Sequence, residues 1–144
     1  MKSPVDKPIL SFIKKHHVFT LATENQGQPW CASCFYAWHE ERQVFIFTTE
    51  DTTRHGAEAL NNSKVAGNIV LETRVIGNIQ GLQMLGITIP ADDNIIEMAR
   101  QRYLKRFPYA RLIDLHMWIF IPHVLKLTDN RLGFGKKLIW KRET

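Results

Sequence analysis

Along Pro8–Lys15, apolar side chains fall at positions 9, 10, 12 and 13. This pattern predicts a short amphipathic helix, capped near Asp6 and carrying Lys14 and Lys15 in its last turn, where the helix dipole favours cations. Val18–Thr23 is rich in β-formers and stops at Glu24-Asn25-Gln26-Gly27, and extended chain resumes from Gln28 to about Trp38. A hairpin follows, with a turn that uses its glycine for a positive φ. Polar Glu40–Gln43 separates a third strand, Val44–Thr49. The period then changes. Asp51, Thr52 and Thr53 offer N-caps to a short helix lined by Gly56, Ala57 and Leu60 and ending at Asn61-Asn62.

Two further strands are expected at Val65–Leu71 and from Val75 to about Ile89, split by a turn at Glu72–Arg74. Gly77, Gly81 and Gly86 in the second mark bulges or bends that let a sheet curl into a small barrel. Pro90–Asp93 opens a longer helix. Ile95, Ile96, Ala99, Tyr103, Leu104 and Phe107 line one side of it, and Arg100, Arg102, Lys105 and Arg106 cover the other until Pro108 ends it. A strand at His116–Ile121 continues through Val124–Leu127, a turn falls at Asp129-Asn130, and a last strand lies near Leu138–Trp140. The order is helix, three strands, helix, two strands, helix, two strands. Without regular β-α-β alternation, this argues against a doubly wound parallel sheet. It argues for an antiparallel β-barrel with flanking helices, of the α+β class, in one domain over residues 1–144.

Composition narrows the picture little. At 144 residues, 44% hydrophobic and 23% charged, the chain can bury a core without disulfides or a structural metal. No apolar run approaches the ~20 residues of a membrane helix, and the N-terminus shows no apolar signal region, so a cytoplasmic protein with no membrane partner is expected. Nineteen basic residues against fourteen acidic ones give a net charge of +5, which permits a phosphate-rich partner without demanding one. The cationic side of the 94–107 helix has acidic neighbours at Asp92, Asp93 and Glu97, and no helix-turn-helix, finger or RNP pattern is present, so nucleic acid is not the expected partner.

Several short motifs carry no chemistry. Cys31-Ala-Ser-Cys34 lies inside a predicted strand, where positions i and i+3 face opposite ways. It lacks the further ligands of a zinc site and the helix N-terminus of a redox pair, and it reads as two packed thiols. Histidines 16, 17, 39, 55, 116 and 123 match no metal spacing. Gly133–Lys137 lacks a phosphate loop's context and reads as a turn. Asn61-Asn62-Ser63 is a glycosylation acceptor only in a secreted chain.

One segment does combine chemistry with position. Phe45–Thr49 is a buried strand that ends in two hydroxyls, and after a short loop Thr53, Arg54 and His55 open a helix. Free N–H groups and the positive dipole end converge there, and an arginine can hold two phosphate oxygens in its planar fork. Arg54 and His55 oppose the dipole of an isolated helix, a local cost that an anion would offset. Simple caps beside solvated side chains fit the same residues, so the segment alone leaves both readings open.

The ordered set Thr20-Leu21-Ala22-Thr23, Gly27-Gln28-Pro29, Val44–Thr49, Thr53-Arg54-His55 and Asn61–Val65 resembles the FMN-binding split barrels related to pyridoxamine 5′-phosphate oxidase. Within that superfamily it looks most like a small, uncharacterised bacterial branch. The resemblance covers about Ile9 to Ile89. It implies an antiparallel split barrel that assembles as a homodimer with FMN at the subunit interface. It implies flavin contacts at Thr48 and Thr49, phosphate contacts at Thr53, Arg54 and His55, backbone beside the isoalloxazine from Ser33 through Cys34 and Phe35 to Tyr36, and a polar ring contact at Gln80. The family usually has lysine where His55 stands, and a histidine carries full charge only below about pH 6.5. Trp118 and Trp140 read as core, and Arg131 does not match the substrate-binding arginine of pyridoxamine-phosphate oxidases. The expected function is an FMN-dependent oxidoreductase of a small molecule. A non-catalytic binder of FMN, heme or another phosphorylated cofactor is the alternative.

Overall fold

The computed structural model describes residues 3–144. Helix α1 (Lys7–Lys15) precedes strands β1 (Val18–Asn25), β2 (Gln28–His39) and β3 (Val44–Thr48). Helix α2 (Arg54–Asn61), strands β4 (Lys64–Val70) and β5 (Gln80–Pro90), helix α3 (Ile96–Arg106) and strands β6 (Met117–Asp129) and β7 (Lys137–Lys141) follow. All pairings are antiparallel, in the order β3-β2-β1-β4-β5-β6-β7. The N-terminal half of β6 also pairs with β3, from Thr48 opposite Met117 to Phe45 opposite Phe120, which closes a six-stranded ring. The C-terminal half of β6 carries β7 on the same edge. This is the split barrel that the resemblance implies.

The ring is filled by Phe19, Leu21, Tyr36, Phe45, Phe47, Phe120 and Leu125, with α1 plugging one end through Ile9, Phe12 and Ile13. Phe45 alone meets the rings of Phe19, Tyr36, Trp38 and Phe120 at centroid distances of 4.9–5.8 Å. A second core lies outside the ring, where Val44, Ile46, Met117 and Ile119 pack under Ala99 and Tyr103 of α3. β3 is therefore buried on both faces, which explains why Val44–Phe47 is apolar without a break.

Several boundaries differ from expectation. The strand expected from Val75 begins at Gln80, because Ile76–Asn78 form a single 3₁₀ turn. Gly77 sits in that turn and Gly81 in a regular ladder, while the register slips at Leu85/Gly86. α3 starts at Ile96, since Pro90 still belongs to β5 and Asp92 caps a preceding turn through the amide of Asn94. Its buried stripe is only Ala99 and Tyr103, and Ile96 stays exposed. β6 runs unbroken through Pro122. Asp6 holds the N-cap position of α1 without a side-chain hydrogen bond. Gln26 and Gly27 both adopt positive φ, 50° and 85°, which is the two-residue turn a twisted hairpin favours. No helix among the described residues is long and apolar enough to cross a membrane.

Candidate functional site

The chain leaves β3 at Thr48 and enters α2 at Arg54, and Thr53 is the residue that caps the helix. Its hydroxyl donates to the Glu50 carbonyl at 2.7 Å and accepts from the Gly56 amide at 3.1 Å. This turn is tight. A Cβ at Gly56 would stand 2.2 Å from the Glu50 carbonyl oxygen, so only glycine fits there without a shift of the backbone. The fold thus brings Thr49, Thr53 and His55 together. Thr49 Oγ1 lies 2.6 Å and Thr53 Oγ1 3.5 Å from His55 Nε2. Burial lowers the His55 pKa, against a smaller opposing pull from Glu58, so the ring is neutral at pH 7.

Arg54 is held in a clasp. Its Nε donates to Glu58 Oε2 at 3.1 Å, one helical turn on, and its guanidinium lies 4.0 Å from the centre of the Trp30 ring. Glu58 is buried and also accepts from Thr23 Oγ1 at 2.8 Å. That hydroxyl, with Arg54, holds the carboxylate below its ordinary range. The two terminal nitrogens of Arg54 have no hydrogen-bond partner among the described residues, and about half of the side chain is exposed. The clasp orients the fork and leaves it free to bind.

β2 supplies the next wall. β3 pairs with it only over Tyr36–His39, while β1 pairs with Gln28–Phe35 on the opposite edge. From Ser33 to Phe35 the second backbone edge is unpaired, and it continues from the place where Thr48 ends β3. Ser33 and Phe35 face outward. Cys34 and Tyr36 face the core, where Tyr36 donates to the Ile13 carbonyl at 2.6 Å. Cys34 is buried, with its thiol pushed up to about 11, and Cys31 is exposed. The expectation of two packed thiols therefore fails at Cys31, which lies on the outer face of the hairpin.

Past the end of β3, on the β6 side, lies a cavity of about 240 Å³, bounded by Thr49, Pro90, Ala91, Leu115, His116 and Trp118. The β3–β6 ladder puts it there. The His116 amide donates to Thr48 Oγ1 at 3.1 Å, and the Trp118 indole donates to the Thr49 carbonyl at 3.1 Å. Trp118 and Trp140 are both buried, as expected of core residues. Sequence reading did not assign Trp30, Glu58, Ala91, Leu115 or His116 to the site. Helical spacing between Arg54 and Glu58 was the one signal available for any of them. Gln80 does not join this cluster within the chain. It starts β5, whereas Pro90, at the cavity, ends it, ten residues or roughly 33 Å of extended chain away. Gln80 instead accepts from Arg131 at 3.1 Å, beside Asp129.

A UPF0306 protein of Photorhabdus laumondii is 39% identical to this chain over 131 residues, spanning 91% of this chain and 92% of that protein. The chain belongs to the UPF0306 family. No family model matches it. Among solved structures, this UPF0306 chain superposes on a heme binding protein from Mycobacterium smegmatis with a TM-score of 0.77 at 15% identity, over 96% of the chain and 60% of that protein. It matches the FAD binding protein from the same organism with a TM-score of 0.70 at 11% identity, over 96% of the chain and 99% of that protein. It also matches a provisionally assigned pyridoxamine 5′-phosphate oxidase from Listeria innocua at 0.65 and 15% identity, over 82% and 93%. At these identities the UPF0306 chain shares their split-barrel fold.

Proposed function

We propose that this protein binds FMN and acts as a flavin-dependent oxidoreductase on a small molecule. The observation that carries the reading is the cleft itself. It sets a clasped arginine, a helix N-terminus and two threonine hydroxyls at one end, with an unpaired strand edge running away from them. Phosphate would sit at the start of α2, held by the free nitrogens of Arg54, the Thr53 turn and His55, with Thr48 and Thr49 beside it. Ser33–Tyr36 would lie along the ring system, offering backbone donors and acceptors to its polar edge. The bound flavin would supply hydride acceptance, and the protein would supply position, access and hydrogen bonds.

The cavity of about 240 Å³ lies below the ~300–1,000 Å³ typical of sites for ligands of this size. A homodimer would close the cleft further, and Val18, Trp30 and Phe35 along the β1–β2 hairpin, 41–58% exposed in the single chain, support that reading. Solved split barrels described as heme binding and FAD binding keep heme as the second reading, and His116 at the cavity would ligate its iron. The test is the absorption spectrum of purified protein after FMN is added and excess removed. Retained flavin bands at one per chain support the proposal, and a Soret band with no retained flavin moves the assignment to heme. Sedimentation at micromolar concentration checks the dimer.

A further inference from the structure

A second concave surface lies between α1 and α3, away from the 48–55 turn. Its walls are Lys14 of α1 and Arg102, Lys105 and Arg106 of α3, its floor is Ala37 and Trp38 of β2, and its volume is about 340 Å³. No carboxylate lines it. Glu40 reaches only Lys14, at 3.0 Å on the exposed rim. Arg102 and Lys105 make no ion pair among the described residues. Arg106 is fixed by the carbonyls of Lys14 and His16 and by the face of Tyr36, with its guanidinium 5.3 Å from the ring centre. Three cations thus stand around the groove with no carboxylate among its lining residues, a local positive field that favours an anion. His39 is pushed down by burial and then by Arg102, with Arg42 adding to the effect and Glu41 opposing it.

We propose that the α1–α3 groove is a second anion site, which takes the phosphate group of a small phosphorylated molecule. Arg102 and Lys105 bind it, and Arg106 positions the wall. The volume suits a small molecule. The charge does not continue as a track for a polymer: α3 begins with Glu97, and Asp92 and Asp93 precede it. Arginine and lysine together match phosphate by fork and point charge.

The test is calorimetric titration of the full chain with inorganic pyrophosphate at low salt. Wild type, Arg54→Ala and the triple variant Arg54→Ala/Arg102→Ala/Lys105→Ala are compared, each checked for a cooperative unfolding transition well above the assay temperature. In Arg54→Ala, where the site at the start of α2 is disabled, one saturable event per chain is expected, weakened at least tenfold in the triple variant. The Lys105→Arg variant should keep it. Binding that is absent from Arg54→Ala, or that survives unweakened in the triple variant, overturns the proposal. So does tight, steeply salt-dependent binding of a single-stranded oligonucleotide without pyrophosphate binding, which would make the surface a polymer site. Because Arg54→Ala tests the flavin cleft separately, failure of either site is distinguishable from failure of the other.

Discussion

Arg131 and Arg54 each clasp a buried carboxylate, Asp129 and Glu58 respectively, yet Arg54 keeps more of its hydrogen-bonding capacity in reserve. Arg131 gives Nε and Nη2 to the two oxygens of Asp129, at 3.2 and 3.0 Å, gives Nη2 also to Gln80, and adds its backbone amide. That set ties the β6–β7 turn to the start of β5. Arg54 gives only Nε to Glu58 and rests on Trp30. The two side chains are similarly exposed, at 52% and 49%, over carboxylates at 4% and 8%. Exposure therefore does not separate the two arginines. What separates them is the number of donors already committed.

The largest expected effect that would break this comparison is on ligand binding. Arg54→Ala should lose about 1.5–3 kcal/mol of FMN affinity, the value of a hydrogen bond to a charged group, or roughly 10- to 150-fold in Kd, as read by fluorescence titration. Arg131→Ala should lower the melting temperature and leave FMN affinity within about twofold, inside the effect of a distant substitution. Equal losses of FMN from the two variants would end the distinction. Next in size, Gly56→Val forces a side chain into the Glu50 carbonyl and should cost about 1–3 kcal/mol of stability, measured by urea unfolding.

The acid limb of stability sharpens the comparison further. Both carboxylates have lowered pKa values in the folded chain, Asp129 through Arg131 and Glu58 through Thr23 and then Arg54. A depressed carboxylate pKa contributes stability in full above the unfolded value, and that contribution is lost as pH falls through the folded value. Stability should decline once pH drops below the ordinary values of 4.5 for Glu58 and 3.8 for Asp129. Asp129→Asn should flatten part of that decline in a denaturant series at stepped pH. The smallest effect concerns His55, which is neutral at pH 7 when the site is free. Phosphate binding should draw a proton onto it, visible as a buffer-dependent heat of binding. His55→Lys should remove that uptake and tighten binding by about 0.5–1 kcal/mol, the range of a partly exposed charge pair.

These contrasts also mark how far the sequence could be read. The element order, the hairpin turn at Gln26-Gly27 and the Thr53 cap follow from period and local chemistry, which neighbouring residues carry themselves. Exposed Ile96 breaks the apparent apolar face of α3, because a helix lying on the outside of a barrel needs only a narrow buried stripe. Trp30 and His116 reach the cleft through the β1–β2 hairpin and the β3–β6 ladder, and Gln80 is carried away from it by the length of β5. Ladder register is a property of distant segments, and no local pattern contains it. Glu58 is the intermediate case, legible as a helical neighbour of Arg54 but not as a buried partner of Thr23.

Barrel closure has a consequence for biosynthesis. The cleft needs Thr48 beside His116 and Thr49 beside Trp118, partners separated by 68 and 69 residues. A growing chain that has delivered α1, the β1–β2 hairpin and α2 has the 48–55 turn but no opposite wall. Loop closure over such a span is slow compared with hairpin or helix formation. A nascent chain therefore has no complete cleft until β6 has left the ribosome. A ligand of the cleft selects finished barrels and cannot template unfinished ones.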